Sequence, residues 1–182
     1  ATESTLTPFG EEIHKVRPHL GQLFVASRME LILSDSTILT HHEDCNRVQD
    51  PYSFRCIPQV HGPVQETLQK LMDTVAIELN SSTDNPLIFP DAENPGSHEV
   101  VSQGNFHAEV LAIVSDTMSL ALFELSSIIE RRIDQMLDPS RLAIRPFLAE
   151  NPGLESGLMI VQYAAAAALG ELRGCLLYTS PS

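Results

Sequence analysis

Residues 107–137 read HAEVLAIVSDTMSLALFELSSIIERRIDQML and predict one long helix. Apolar side chains recur along this stretch at three- and four-residue steps, which is the spacing of one helix face. They are Val110, Val114, Met118, Ala121, Leu125, Ile128 and Ile133. Further apolar residues, such as Ile113 and Leu122, lie outside that stripe, so several neighbours are expected to bury the helix. About 31 residues would span roughly 46 Å, a length that favours the core of a helical bundle or oligomer.

Three other stretches predict helices. They cover residues 8–33, 58–80 and 156–171. Pro18 is expected to start a new helix or to kink the first of these, and Pro58 suits a first helical turn. Residues 34–51 and 81–104 are rich in polar and turn-forming residues and predict loops, with a short strand at Leu87–Phe89.

The composition bounds the class of protein. With 182 residues, 43% of them hydrophobic, the chain is long enough for one domain with a sizeable core. Its 24 acidic and 11 basic residues give a formal net charge of −13, which argues against a nucleic-acid surface. There is no charged-then-apolar leader at the N-terminus and no apolar run long enough to span a bilayer. We therefore expect a cytoplasmic protein with no membrane or nucleic-acid partner.

The cysteines and histidines indicate neither a disulfide framework nor a metal site. Cys45, Cys56 and Cys175 form no CxxC pair and cannot all be bridged internally, which suits a reducing compartment. The run His41–Cys45 contains metal-ligating residue types, but no second cluster lies at a finger-like spacing from it. We therefore expect no bound metal.

The segment Gln49–Cys56 reads QDPYSFRC and concentrates polar side chains at the boundary between a loop and a helix. Such clusters are typical of a functional site held by a rigid scaffold. Arg55 has the planar fork that grips a carboxylate with two hydrogen bonds. Tyr52 can donate or accept a proton, and Gln49 offers an amide. A structural alternative stays open here: Asp50 caps a turn and pairs with Arg55, while Tyr52 packs.

Several motifs, in order along the chain, resemble the aromatic amino acid ammonia-lyase family, and within it the lyases that act on histidine. They are QDPYSFRCIPQVHG at 49–62, NSSTDNPLIF at 80–89, GNFH at 104–107, ERRI at 130–133, PFL at 146–148, SGLMI at 156–160 and QY at 162–163. The resemblance covers roughly residues 8–173. It implies an all-α, long-helix bundle of the ammonia-lyase and aspartase-like type with extended functional loops. It also implies homotetramers whose active sites draw on three subunits.

The resemblance further implies a prosthetic group. The family uses 4-methylideneimidazol-5-one, which forms from an Ala-Ser-Gly tripeptide of the same chain and N-terminal to these motifs. No Ala-Ser-Gly occurs among the 182 residues. The chain is therefore expected to be an internal or C-terminal fragment, a single partial domain over residues 1–182 that is inactive alone. Residues 174–182 depart from the family pattern and are interpreted as a non-native tail.

Five positions match the family's site residues. By resemblance, Arg55 pairs with the substrate carboxylate. Tyr52 is the catalytic candidate, beside the prosthetic group, and Gln49 binds near both. Phe106 matches a phenylalanine near the prosthetic group, and Glu171 matches a glutamate that faces the substrate side chain and can hold an imidazole. Its surroundings read Gly-Glu-Leu-Arg, where histidine lyases usually have Ser-Glu-Asn-Lys, so Glu171 alone does not settle the substrate.

The resemblance implies that the intact parent converts the amino acid L-histidine to urocanate and ammonia. One alternative is another lyase or an aminomutase of the family, acting on phenylalanine or tyrosine. An alternative from a different class is a non-catalytic helical assembly protein, which would have no need of these side-chain types at the five positions.

Overall fold

A computed structural model describes residues 4–40, 48–140 and 144–177 of the chain. Within these ranges the fold is mainly helical, as the sequence predicts. The helices are α1 (Glu11–Lys15), α2 (Leu20–Leu33), α3 (Thr37–Thr40), α4 (Tyr52–Arg55), α5 (Ile57–Leu79), α6 (Glu109–Leu137) and α7 (Met159–Leu177). The strands are β1 (Leu87–Pro90) and β2 (His98–Val101), and two single 3-10 turns lie at Thr7–Phe9 and Pro146–Leu148.

The sequence locates the long elements well. The long predicted helix is α6, which begins at Glu109 rather than at residue 107. Pro18 separates α1 from α2, and Pro58 lies in the first turn of α5, where a missing N–H costs nothing. The predicted strand at Leu87–Phe89 is β1. Periodic apolar patterns and proline positions are therefore sufficient for these elements.

Shorter elements and one helix end differ from the predictions. The predicted loop 34–51 contains α3, and the predicted loop 81–104 also contains β2, which pairs antiparallel with β1. Helix α7 continues to Leu177, past its predicted end at Glu171, because the residues between them include no helix breaker except one glycine. The origin of the tail from residue 174 stays a prediction.

Contacts within the chain form two compact units. The first unit comprises residues 1–66 and 119–182, and the second comprises residues 67–118. In the first unit, Phe9, Phe54 and Ile57 are buried together. The partly buried side chains packed against them are Val25, Met29, Leu33 and Met136. The segment that carries α4 is therefore anchored in the apolar core of its unit. The single partial domain stays a prediction.

The second unit contains the β1–β2 hairpin. Its turn is shaped by Asp91, whose carboxylate accepts hydrogen bonds from the Asn94 side chain at 2.9 Å and from the backbone N–H of Glu93 at 2.9 Å. These bonds, led by the one from Asn94, lower the pKa of Asp91. The Asn85–Pro86 peptide bond before β1 is cis.

Helices α2 and α5 approach each other at two glycines. A Cβ atom on Gly62 would lie 2.5 Å from the backbone nitrogen of Gln22, and one on Gly21 would lie 2.3 Å from the carbonyl oxygen of Gly62. The Gly21 N–H also donates to Glu66 Oε1 at 2.6 Å. Backbone contact at this crossing therefore excludes any larger side chain.

The close approach of α2 and α5 makes the fold sensitive to the size of residue 62. Gly62→Ala is expected to lower the free energy of unfolding by about 1–3 kcal/mol, because the added methyl group forces the two backbones apart. Urea unfolding followed by circular dichroism measures the loss. Gly170→Ala is the control, since its Cβ would meet no atom within 4 Å in α7 and gains helix propensity. Equal stabilities of the two variants would contradict the close approach.

Helix α6 differs from a further expectation of the sequence. By length and composition alone it is apolar enough to cross a membrane, although no such run was expected. Only 17% of its most apolar window is buried within the chain. One such helix is weak ground for a membrane span, because the core helix of a soluble bundle passes the same test.

Candidate active site

The turn of α4 buries two side chains and leaves Tyr52 exposed and Arg55 partly exposed. The Pro51 carbonyl begins it, accepting the N–H groups of Phe54 at 3.0 Å and Arg55 at 2.9 Å. Ser53 and Phe54 are buried, whereas the Tyr52 side chain is 69% exposed. Because residues three apart lie on one side of a helical turn, Tyr52 and Arg55 share the outer side.

Asp50 fastens the loop before α4 to the N-terminal segment. Its buried carboxylate accepts hydrogen bonds from the Thr5 hydroxyl at 2.6 Å and from the Thr5 backbone N–H at 3.1 and 3.2 Å. Arg55 donates instead to the side-chain oxygen of Gln49. The pair between Asp50 and Arg55 that the structural alternative requires is therefore not formed, because Asp50 is bonded to Thr5, and most of the Tyr52 side chain is exposed rather than packed.

The Arg55 guanidinium has a neutral partner. Gln49 is an exposed amide, and among the described residues no carboxylate lies within ion-pair distance of Arg55. A guanidinium has five N–H donors in a planar fork, and one amide oxygen leaves several of them available. The arrangement can therefore bind a carboxylate through charge-assisted hydrogen bonds.

A cavity of about 410 Å³ adjoins Tyr52 within the first unit. Val60 of α5 and Glu124 and Arg131 of α6 help to line it. Arg131 donates two hydrogen bonds of 2.5 Å to the buried carboxylate of Glu130, which raises the pKa of Arg131. The volume lies in the range of small-molecule sites. The sequence did not predict these α6 residues as part of a site.

Arg132 connects α6 to α4. Its Nε donates to the carbonyl oxygen of Ser53 at 2.9 Å, and its Nη2 contacts Nε2 of His61 at 2.8 Å. An arginine can only donate, so His61 accepts at Nε2 and carries its proton on Nδ1. Burial, and then the charge of Arg132, lower the pKa of His61. The sequence does contain a signal for this contact, which is the pair Arg131-Arg132 within an apolar helix. Consecutive helical residues point about 100° apart, so the two arginines face different surroundings and at least one is expected to have a buried partner.

Acid is expected to destabilise the fold through His61. Its folded pKa lies below the ordinary value of 6.5, so the unfolded chain binds more protons as pH falls through that value. The free energy of unfolding should therefore decrease below about pH 6.5 and level off once the folded form is protonated. His61→Gln, which keeps a neutral acceptor for Arg132, should reduce this sensitivity in urea titrations from about pH 5 to 8. An unchanged pH dependence in the variant would rule His61 out as the cause.

Phe106 lies in the second unit, on a turn fastened by Gln103. The Phe106 side chain is 61% exposed. The Gln103 backbone N–H donates to the Asn85 side chain at 2.9 Å, and its Nε2 donates to the Asp84 carbonyl at 2.5 Å. The Gln103 side-chain oxygen accepts the N–H of Asn105. Two of the motifs found in the sequence are thereby joined, and the exposed ring is free to form the wall of a site.

Glu171 is exposed on α7. The same helix is linked to α6 by Gln162, whose amide donates to Asp134 at 2.5 Å. In the part of the chain that the structure describes, no hydrogen bond or ion pair links Glu171 to residues 49–55. The structure thus brings Gln49, Tyr52 and Arg55 together and does not join Glu171 to them.

A metal centre is not supported by the described ranges 4–40, 48–140 and 144–177. These contain no group of three or more His, Cys, Asp or Glu side chains arranged to hold an ion. The run His41–Cys45 lies outside the described residues, so its expected lack of a metal stays a prediction.

Solved structures assign the class. The chain matches histidine ammonia-lyase from Trypanosoma cruzi with a TM-score of 0.79 and 39% identity, over 95% of this chain and 30% of that one. It matches tyrosine aminomutase from Streptomyces globisporus with a TM-score of 0.80 and 32% identity, over 93% of this chain and 35% of that one. The chain therefore has the ammonia-lyase fold, as the sequence predicts.

The chain belongs to the aromatic amino acid lyase family, whose sequence profile matches residues 1–176. A probable histidine ammonia-lyase of Halobacterium salinarum is 48% identical over 180 residues, which is 94% of this chain and 34% of that protein. The chain spans about a third of the length of the curated relatives it matches. The family prediction made from the motifs is therefore confirmed.

Proposed function

We propose that the full-length parent of this chain is an ammonia-lyase that eliminates ammonia from L-histidine to give urocanate, the first step of histidine breakdown. The observation that carries the proposal is the α4 turn, on which Tyr52 is exposed and the partly exposed Arg55 lacks a carboxylate partner among the described residues. The identity to relatives named histidine ammonia-lyase supports the substrate. The chain alone, without the rest of the parent, is expected to be inactive.

The chemistry defines the roles of this chain's residues. Elimination requires loss of a weakly acidic β-proton and departure of a poor leaving group, so the substrate must be held in one orientation. Arg55 binds the α-carboxylate, and Gln49 orients both the guanidinium and the substrate. Tyr52 is the catalytic candidate of this chain and assists orientation and proton transfer through its phenol oxygen, while the resemblance implies that the principal base is a different tyrosine outside these residues. Phe106 forms an apolar wall, and Glu171 binds the imidazole.

The family's self-derived 4-methylideneimidazol-5-one fits the neutral donors and acceptors of this segment. The exposed phenol of Tyr52 and the exposed amide of Gln49 suit a polar, uncharged ring. These 182 residues contain no Ala-Ser-Gly to form the group, so we propose that another part of the parent polypeptide supplies it. When bound, it provides the electrophile that activates the substrate amine. Arg55 and Tyr52 then position the substrate.

We also propose a homotetramer in the cytoplasm. Ile113 and Leu120 on α6 and Ile160 on α7 are exposed within the chain, and apolar surface of this extent favours burial against other subunits. Cys56 and Cys175 are free thiols, which suits a reducing compartment. The negative charge gives no support to a nucleic-acid partner.

A second candidate acts on a different amino acid. A tyrosine aminomutase shares the fold at 32% identity, against 39% for a histidine ammonia-lyase, so an aminomutase or a phenylalanine or tyrosine lyase is the second and less well supported candidate. The sequence Gly170–Arg173 fits this alternative, since it departs from the usual histidine-lyase pattern. A non-catalytic assembly protein is less well supported, because it has no use for an outward-facing Arg55 beside Gln49.

The test uses the full-length parent with each amino acid in turn. Urocanate formed from L-histidine is followed by its ultraviolet absorbance, and arylacrylates and β-amino acids are measured with phenylalanine and tyrosine. Turnover of histidine supports the proposal. Turnover of tyrosine or phenylalanine with none of histidine rejects the substrate, and an intact tetramer inert toward all three rejects the enzyme.

A further inference from the structure

The guanidinium of Arg132 is half-buried and has two unlike partners. It donates to the Ser53 carbonyl at 2.9 Å and to His61 at 2.8 Å. Among the described residues no carboxylate forms an ion pair with it. Its neighbour Arg131 differs, since it is bound to Glu130 at 2.5 Å. Burial without a countercharge lowers the pKa of Arg132. It also costs free energy, which an apolar side chain at this position would not.

The carbonyl that Arg132 holds belongs to the turn of the proposed site. Ser53 lies between Tyr52 and Arg55 and is separated from Arg132 by 79 positions in sequence. A helix of four residues has few internal hydrogen bonds to fix its orientation. Phe54 anchors one side in the core, and the charge-assisted bond from Arg132 restrains the backbone on another. His61 fixes the guanidinium in turn by accepting from Nη2.

We propose that Arg132 and His61 are positioning residues that hold the α4 turn so that Tyr52 and Arg55 meet the substrate in a productive orientation. This inference rests on the proposed function. Neither residue touches the substrate; Arg132 acts through the Ser53 carbonyl, and His61 acts through Arg132. A displacement of about 1 Å in a site can cost on the order of 100-fold in rate, so restraint of this turn has a measurable effect on catalysis.

The experiment compares variants of the full-length parent. Arg132→Met is expected to lower kcat/KM for L-histidine about 10- to 100-fold. Arg132→Lys should recover part of the loss, because a lysine can donate to the Ser53 carbonyl but not in a fork. His61→Gln should stay near the wild type, since its amide oxygen accepts as the imidazole does, whereas His61→Leu should be impaired. Arg28→Met, at an exposed arginine of α2, is the matched control.

Two readouts separate positioning from stability. Arg132→Met combined with Tyr52→Phe should give a loss smaller than the product of the single losses, because both act on one unit. Hydrogen exchange of the peptide 49–56, measured in the full-length protein, should accelerate in Arg132→Met and stay unchanged in Arg28→Met. A purely structural role would instead lower the thermal midpoint and leave kcat/KM of the folded tetramer unchanged.

The outcomes distinguish this inference from the proposed function. If the wild-type parent does not act on histidine, the proposed function fails, and hydrogen exchange alone decides whether Arg132 restrains the turn. If the wild type is active, unchanged kcat/KM and unchanged exchange in Arg132→Met overturn the inference. Should Arg132→Met fail to assemble, Arg132→Lys and His61→Leu provide the same comparison with smaller changes.

Discussion

Arg55→Met in the full-length parent is expected to lower kcat/KM for L-histidine by about 10²- to 10⁴-fold. The estimate follows from two hydrogen bonds between charged groups at about 1.5–3 kcal/mol each, with each 1.4 kcal/mol worth tenfold. Methionine keeps the volume and apolar contacts of the side chain and removes the fork. Initial rates of urocanate formation over a range of histidine concentrations give kcat and KM separately.

Two further variants make the Arg55 result interpretable. Arg55→Lys keeps the charge but not the two-pronged geometry, so it should recover only part of the activity. Arg28→Met removes one positive charge from an exposed helix face and should leave kcat/KM unchanged. Size-exclusion chromatography checks that each variant keeps the assembly of the wild type. Full activity in an intact Arg55→Met tetramer would mean that another residue binds the substrate carboxylate, and the proposed role of the α4 turn would be wrong.

The sequence was sufficient where the signal is local and periodic. The apolar spacing of α6, the prolines before α2 and in α5, and the ordered motifs each report on residues that are near neighbours in the chain. The segment 49–56 was also identified as a site candidate from its polar cluster. Gln49 and Arg55, which are hydrogen-bonded in the structure, are only six positions apart in the sequence.

The sequence was insufficient where partners are distant. Thr5 with Asp50 and Arg132 with Ser53 are separated by 45 and 79 positions, and no spacing rule relates such pairs. This is why the local pairing of Asp50 with Arg55 remained a reasonable alternative. Strand β2 escaped prediction because its sequence, His-Glu-Val-Val, is short and shows no apolar-polar alternation, whereas β1 contains the apolar run Leu-Ile-Phe. The short α4 depends on the Pro51 carbonyl rather than on propensity.

The Glu171 position shows a different limit. A motif places a carboxylate on α7, yet no described contact relates it to the α4 turn. Motif order identifies which residues a family uses, but it carries no distance between them. In a family whose sites are expected to combine several subunits, residues of one chain need not meet one another. The separation of Glu171 from Arg55 is therefore compatible with the proposal and contributes nothing to it.

Tyr52→Phe is expected to lower kcat for L-histidine by about 10²- to 10³-fold, with a much smaller change in KM. Removing a positioned proton donor or acceptor typically costs this much in rate, whereas Arg55 and Gln49 still bind the substrate. A loss in kcat without a loss in binding indicates an interaction made chiefly in the transition state. Initial rates over a range of histidine concentrations, with the tetramer verified, give kcat and KM separately.

The matched control for this variant is Tyr163→Phe. Tyr163 is also exposed and lies on helix α7, away from the α4 turn. The Tyr163→Phe variant loses a hydroxyl there, so its kcat should equal that of the wild type. Because phenylalanine keeps the ring, any packing contribution of Tyr52 is preserved, and the measured loss belongs to the phenol oxygen. If Tyr52→Phe instead raised KM and left kcat unchanged, the hydroxyl would serve only in substrate binding, and proton transfer would have to be assigned to a residue outside this chain.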